Sequence, residues 1–265
     1  MNVNPYWYDA QWLQAYQRAR SIVARAAPDR LEAFVAAFDV LRTDPAFTVR
    51  QLPGLIGPDL IESLRAEIRA IPRELLEMHE MRTFGRFIVH DHPAFTALQT
   101  AMVDRVSAWA GEAVEPFYNF LSLYTRMGKC DPHLDAPLAK WTLDLCIDQS
   151  HVWPIHFSQI VPWPEVGEGG VGPSDPALRY TPALLEPGDA VLFSGSSQWH
   201  YRDALLETAQ EAAQKPGAPP ARAFCDLLFF HYIPKGTLQL IDPNQWADLF
   251  DMPELALARP FDLGK

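Results

Sequence analysis

From residue 117 to residue 234 the sequence spells one strand after another with no helices alternating between them, and this limits the possible folds more than any other feature. "FYNFLSLYTRMG" is aromatic and alternating and reaches a turn glycine at Gly128. "KWTLDLCID" sets Trp141, Leu143, Leu145 and Ile147 against Thr142, Asp144 and Cys146. "VWPIHFSQIV" is a further strand, "GDAVLFSG" a short buried one after a turn, and "ARAFCDLLFFHYIP" a long one. Residues 162–187 are rich in Pro and Gly and read as loop. Parallel neighbours would need helical crossovers, so this pattern predicts an antiparallel sandwich or barrel.

The chain ahead of residue 112 reads as helical. Residues 8–26 are rich in Ala, Gln and Arg and carry Trp12, Tyr16 and Val23. After Pro28, with Asp29 as N-cap, Leu31, Phe34, Val35, Phe38 and Leu41 recur at helical spacing on one face. Leu60, Ile61, Leu64, Ile68 and Ile71 form another stripe, which Pro72 ends. A further helix is predicted over residues 93–110, with Gly111 as C-cap. One-faced helices must dock on something apolar, so they are expected to cover one sheet of the β region. The expectation is one α+β domain over 1–265, with helical support in 1–112, a β core in 113–235 and an extension in 236–265. The low-complexity stretch "ETAQEAAQKPGAPPA", residues 207–221, begins as a helix former and ends as a Pro-rich linker.

Composition removes several classes of function. A formal net charge of −11 argues against a nucleic-acid or anionic-membrane surface, which would need clustered Lys and Arg. Cys130, Cys146 and Cys225 are odd in number and form no CxxC, as in a reduced intracellular chain. There is no leader-like N-terminus and no uncharged apolar run near the roughly 18 residues of a membrane span. A cytoplasmic protein acting on a small molecule is expected, with monomer and homodimer both open.

The candidate chemistry begins at "CDPHLDAP", residues 130–137. With 8 His and 33 acidic residues, chance supplies about one H-x-[DE] in such a chain, so the motif needs its surroundings. In an extended segment His133 and Asp135 point the same way and can chelate one ion. His200, in "GSSQWHYRD" just after the strand "GDAVLFSG", is the candidate third ligand. Two His and one carboxylate form the facial triad of non-haem Fe(II) oxygenases, which leaves positions open for a co-substrate and O₂.

Four segments in order carry a resemblance. "LPGLIGPDLIESLRAEI" looks like an opening strand and long helix, "LYTRMGKCDPHLD" like a Tyr-x-x-Gly-x4-His-x-Asp segment with Tyr124 and Gly128 in register, "LEPGDAVLFSGSSQWHYRD" like the strand that delivers a distal histidine, and "RAFCDLLFFHYI" like a final core strand. Together, over roughly residues 50–235, they resemble the 2-oxoglutarate/Fe(II)-dependent oxygenases, particularly small bacterial members similar to prolyl-4-hydroxylase catalytic domains. The resemblance implies a double-stranded β-helix (jelly-roll) core, with Fe(II), 2-oxoglutarate and O₂ as the reacting partners. It makes His133, Asp135 and His200 the metal ligands. It makes Arg222, at the head of the last strand, the anchor for the distal carboxylate of 2-oxoglutarate, assisted by Tyr124. Arg222 lies 22 residues after His200, whereas the family places its anchor about ten after, so Arg202 and Lys140 stay open as alternatives. The implied reaction hydroxylates a C–H bond and releases succinate and CO₂. Asp135 points away from halogenation, since related halogenases lack the carboxylate ligand. A peptidyl hydroxylase and a non-catalytic, cupin-like metal-binding protein are the competing readings.

The other histidines have plainer expectations. His90 and His92 read as a polar turn leading into the helix that Pro93 starts. His151, His156 and His231 read as hydrogen-bonded sheet histidines, with His156 in "WPIHF" a candidate for lining the pocket. Trp141, Trp153, Trp163 and Trp199 read as mostly core. The Ala/Pro insertion over 204–221 reads as a surface loop that could act as a lid.

Overall fold

The computed structural model of the protein describes residues 10–163, 171–205 and 223–258. The strands form two antiparallel sheets. The larger has the order β1 (Arg50–Leu52), β8 (Ala190–Phe193), β5 (Trp141–Gln149), β10 (Cys225–Pro234), β3 (Val114–Tyr124) and β2 (Arg86–His90). The smaller has the order β4 (Cys130–His133), β9 (Gln198–Arg202), β6 (Ile155–Ile160) and β7 (Thr181–Ala183).

Side-chain alternation sorts the larger sheet into two faces. Along β10, Leu228, Phe230 and Tyr232 join a core with Ile61, Leu64, Phe95 and Val106. These come from helices α3 (Pro58–Ala70), α4 (Pro93–Ala101) and α5 (Val103–Ala110), which cover this face as expected. The opposite residues of the same strand, Cys225, Leu227 and Phe229, join a second core with Trp153, Ile155 and Phe157 from the smaller sheet side. The two sheets are thereby packed face to face.

The first two helices do something else. Helix α1 (Ala10–Ala26) and α2 (Leu31–Ala37) pack away from the covered face of the larger sheet, in a third core with the segment 238–258 and with Trp163 and Trp199. The Trp12 indole N–H donates to the Ile241 carbonyl at 2.8 Å. Leu13, Val23 and Phe38 are fully buried there, each contributing about 1.5–3 kcal/mol of transfer free energy. The expectation that all helices cover one sheet therefore holds for α3–α5 and fails for α1 and α2, whose apolar partner is the far end of the chain.

The single helix expected over 93–110 is two. The ladder is interrupted at Met102, whose N–H is shared between the Leu98 and Gln99 carbonyls. The Tyr232 hydroxyl donates to the Gln99 carbonyl at 2.9 Å, drawing the helix onto the sheet at this turn. Gly111 ends α5 in the left-handed region at φ 78, as the C-cap reading requires. Strands β2 and β7 are short and have no counterpart in the strand pattern read from sequence, and His200, which follows β8 as expected, lies in a further short strand, β9. No helix among the described residues is long and apolar enough to cross a membrane.

Candidate metal centre and its cavity

Strands β4 and β9 pair antiparallel with His133 directly opposite His200. That register puts the two imidazoles side by side, with ring centroids 4.2 Å apart. Asp135 follows β4, and its amide donates to the Gly195 carbonyl at 2.8 Å, which turns the carboxylate back between the rings. His133 Nε2 lies 3.5 Å from one Asp135 oxygen and His200 Nε2 3.8 Å from the other. One donor atom from each of the three residues lies within 4.8 Å of the others, the one such His/Cys/Asp/Glu group among the described residues.

The donor set fits a divalent cation. His133 Nδ1 donates to the Asp131 carbonyl and His200 Nδ1 to the Gln198 carbonyl, each at 2.9 Å. Each ring therefore turns its Nε2 to the centre. Burial opposes ionisation of Asp135, but His200 and His133 outweigh it and hold its carboxyl well below the usual carboxylate range. Burial and the neighbouring His133 push His200 down to about 4, so it is neutral at pH 7. Burial also opposes protonation of His133, yet Cys130 and Asp135 outweigh it and hold its pKa up. A cation entering here would displace that proton. Cys130 lies beside the site, its sulfur 3.7 Å from His133 Nδ1.

The triad opens onto a cavity of about 240 Å³. Phe84, Phe120, Phe193 and Phe229 supply much of its apolar wall, and Arg86, Arg202 and Tyr124 its polar end. Arg202 follows His200 by two residues on β9 and so shares its inward face. Its guanidinium donates to Asp144 Oδ2 at 2.7 Å and to the Trp153 carbonyl. Arg86, from β2, donates to Glu80, to Ser122 Oγ at 3.1 Å and to Tyr124 Oη at 2.8 Å. Since Tyr124 Oη accepts there, its own proton is available to a ligand.

The other anchor candidates separate. Lys140 lies away from the cavity wall and is held by Glu112 at 2.6 Å and the Val40 carbonyl at 2.8 Å. Residues 206–222, with Arg222 and most of the Ala/Pro insertion, lie outside the described residues. The side of β10 on which Phe224 and Asp226 stand continues as Leu228, Phe230 and Tyr232 against the helices, whereas Phe229 and His231 line the cavity. Nothing in the motif pattern singles out Arg86. The alternation of Arg86, Ile88 and His90 in "GRFIVH", all three on the cavity wall, is the signal that could have found it.

His90 thus ends a strand and does not simply lead into a helix, while His92 is the residue before α4. His156 stacks on Tyr201 at 4.6 Å and is not part of the cavity wall. The four tryptophans are buried core and none lines the cavity.

Compared by sequence, no family model and no curated protein matches the chain. Solved structures do match by shape. The epimerase SnoN from nogalamycin biosynthesis, in complex with Fe3+, alpha ketoglutarate and nogalamycin RO, superposes with a TM-score of 0.54 at 16% identity, over 78% of this chain and 84% of that one. The chain shares the fold of a non-haem 2-oxoglutarate enzyme. The same fold is matched in the non-haem alpha ketoglutarate dependent carbocyclase SnoK, with a TM-score of 0.53 at 12% identity over 74% of this chain and 83% of that one. It is matched again in HygX from Streptomyces hygroscopicus with nickel and 2-oxoglutarate bound, with a TM-score of 0.50 at 14% identity over 76% of this chain and 86% of that one. An epimerase and a carbocyclase on one fold mean that the fold by itself does not fix the outcome of the reaction.

Proposed function

We propose that the protein is an Fe(II)- and 2-oxoglutarate-dependent oxygenase that hydroxylates a C–H bond of a small molecule and releases succinate and CO₂. The observation that carries this reading is the triad itself: two Nε2 atoms and a carboxylate converge on one point at the wall of a cavity whose polar end holds guanidinium groups. Its two sheets are read as a double-stranded β-helix, forming one domain over 1–265 with the helical segments as support. His133, Asp135 and His200 would hold the iron, which when bound supplies the centre where O₂ is activated at the expense of 2-oxoglutarate.

The chain's own residues then have distinct tasks. The Asp131 and Gln198 carbonyls orient the two histidines. Tyr124, with Arg86 and Arg202 to either side, would bind the distal carboxylate of 2-oxoglutarate, since each guanidinium keeps N–H capacity beyond its partners described above. The aromatic wall would exclude water from the reacting carbon. Asp135 occupies the position a halide would need, which favours hydroxylation. A cavity walled by Phe84, Phe120, Phe193 and Phe229 suits a small molecule better than the open groove a peptide substrate needs. With three unpaired thiols, the cytoplasm is the compartment we assign.

A succinate-coupled screen of metabolite and amino-acid libraries tests this reading. Turnover should require Fe(II), O₂ and each triad residue. If iron-loaded protein consumes no 2-oxoglutarate with any compound, and His133→Ala leaves the metal content unchanged, the oxygenase reading is wrong and a non-catalytic protein replaces it.

A further inference from the structure

The two strands that meet beside His200 do not stay in step. Phe157 on β6 faces His200 and Ile160 faces Gln198, so three steps along β6 answer two along β9. The extra residue leaves Ser158 and Gln159 opposite Trp199, a bulge of the kind that re-aims side chains beside reactive sites. A bulge interrupts the backbone ladder, and the buried groups it strands need other partners.

Side chains supply them. The Trp199 N–H donates to Ser158 Oγ at 2.9 Å, and the Ser158 carbonyl accepts from Gln198 Nε2 at 2.9 Å. The other end of the same amide accepts, since the Ser194 N–H donates to Gln198 Oε1 at 3.0 Å. Both partners of the amide are backbone groups, a carbonyl that only accepts and an N–H that only donates, so its orientation is fixed. Ser158, Ser194 and Gln198 are all buried.

The groups tied together here support two different ligands of the candidate centre. Ser194 precedes Gly195, whose carbonyl accepts from the Asp135 amide at 2.8 Å. The Ser194 carbonyl accepts from the Gln198 N–H at 3.0 Å, and its hydroxyl lies 2.7 Å from Thr43 Oγ1. The Gln198 carbonyl accepts from His200 Nδ1 at 2.9 Å. A glutamine needed only to patch the bulge would bond across to β6 and no further. This one also reaches the turn that carries Gly195. Gln198 itself is not part of the cavity wall, so it touches no reacting group.

We propose that Gln198 is a positioning residue for the candidate metal centre, its side-chain amide holding the turn under Asp135 and the carbonyl behind His200 in one register. The proposal rests on the reading of His133, Asp135 and His200 as metal ligands. Without the amide the two supports move independently, and a cation meets ligands that no longer converge.

The test uses the full chain and Co(II), whose visible absorption reports the geometry of its ligands. Gln198→Met keeps the length of the side chain and removes both hydrogen bonds. It should bind Co(II) about 10–100-fold more weakly than the wild type, with a changed spectrum at saturation. Gln198→Glu keeps the acceptor for the Ser194 N–H and should recover part of that loss. Val106→Ala, in the core beneath α5, is the control for lost stability alone. It should lower the denaturation midpoint and leave Co(II) affinity and spectrum as in the wild type. If Gln198→Met does not fold, Gln198→Asn takes its place, since its amide is one methylene too short to span both partners. Unchanged affinity and spectrum in the folded variant, no recovery in Gln198→Glu, or an equal loss in Val106→Ala would each overturn the proposal. Wild-type protein that binds no Co(II) would sink the metal-centre reading and the proposal with it. Wild-type protein that binds the metal but forms no succinate with iron would sink the oxygenase reading alone.

Discussion

Gly195 and Asp135 approach so closely that a β-carbon on Gly195 would lie 2.2 Å from Asp135 Oδ2. It would also lie 2.6 Å from the Ala139 carbonyl oxygen, which is backbone and cannot swing aside. The glycine at the end of "GDAVLFSG" is therefore part of the candidate metal centre, although it offers no ligand to it.

Gly195→Ala should push the Asp135 carboxylate out of line with the two imidazoles. Loss of a residue that supports a metal ligand typically costs about 10–100-fold in affinity, and a loss of that size is expected here. Isothermal titration of Fe(II) or a stand-in metal, under anaerobic conditions, measures it. Unchanged affinity would mean that the loop after β8 shifts freely and that Asp135 is positioned by something else.

Arg86→Ala and Arg202→Ala should both raise the apparent KM for 2-oxoglutarate, by roughly 10–100-fold each, the size of a lost charge-assisted hydrogen bond. Tyr124→Phe should raise it less, because it removes one neutral donor. If only one arginine has this effect, that one is the anchor and the other serves the fold or the substrate.

Arg202 has a second, structural consequence. Its partner Asp144 is 0% exposed, and burial raises the Asp144 pKa against the opposing pull of Arg202. Removing one member of a buried pair strands the other, at about 3–5 kcal/mol. Chemical denaturation of Arg202→Ala should show a loss of that order, and Arg202→Met combined with Asp144→Leu should recover most of it.

Asp226 makes stability depend on pH with a sign opposite to that of most carboxylates. Burial and the nearby Asp148 push its pKa up to about 7, with Arg65 opposing. Its unfolded value is about 3.9. Between these values the folded protein holds a proton that the unfolded chain has released, so stability falls as pH rises from about 4 to about 7 and then levels off. Asp226→Asn should be more stable than the wild type at pH 8, with the difference shrinking toward pH 4. Denaturation curves of both proteins at these pH values check it, and parallel curves would refute the assignment.

The candidate centre was legible in sequence because its parts are local or bounded by strong signals. His133 and Asp135 are two residues apart on an extended segment, and His200 follows a strand marked by "GDAVLFSG". Arg86 was harder to read, because β2 is five residues long and its one signal, the alternation of Arg86, Ile88 and His90, is too brief to stand out. The role of α1 was not legible for a different reason. Periodicity identifies an apolar face but not the partner that covers it, and Trp12 finds its acceptor 229 residues away. His231 Nε2 has no hydrogen-bond partner among the described residues, and only three-dimensional packing exposes that.

The packing of α1 against residues 238–258 also sets a clock. The Trp12 indole waits for a carbonyl 229 residues downstream, which at about 5–20 residues per second emerges roughly 10–45 s later. Until then Tyr16 can pack on Phe34 and Phe38, close by in sequence, but the core that the segment 238–258 completes around Leu13 and Val23 stays open. Helix α1 is therefore among the last elements that can settle fully.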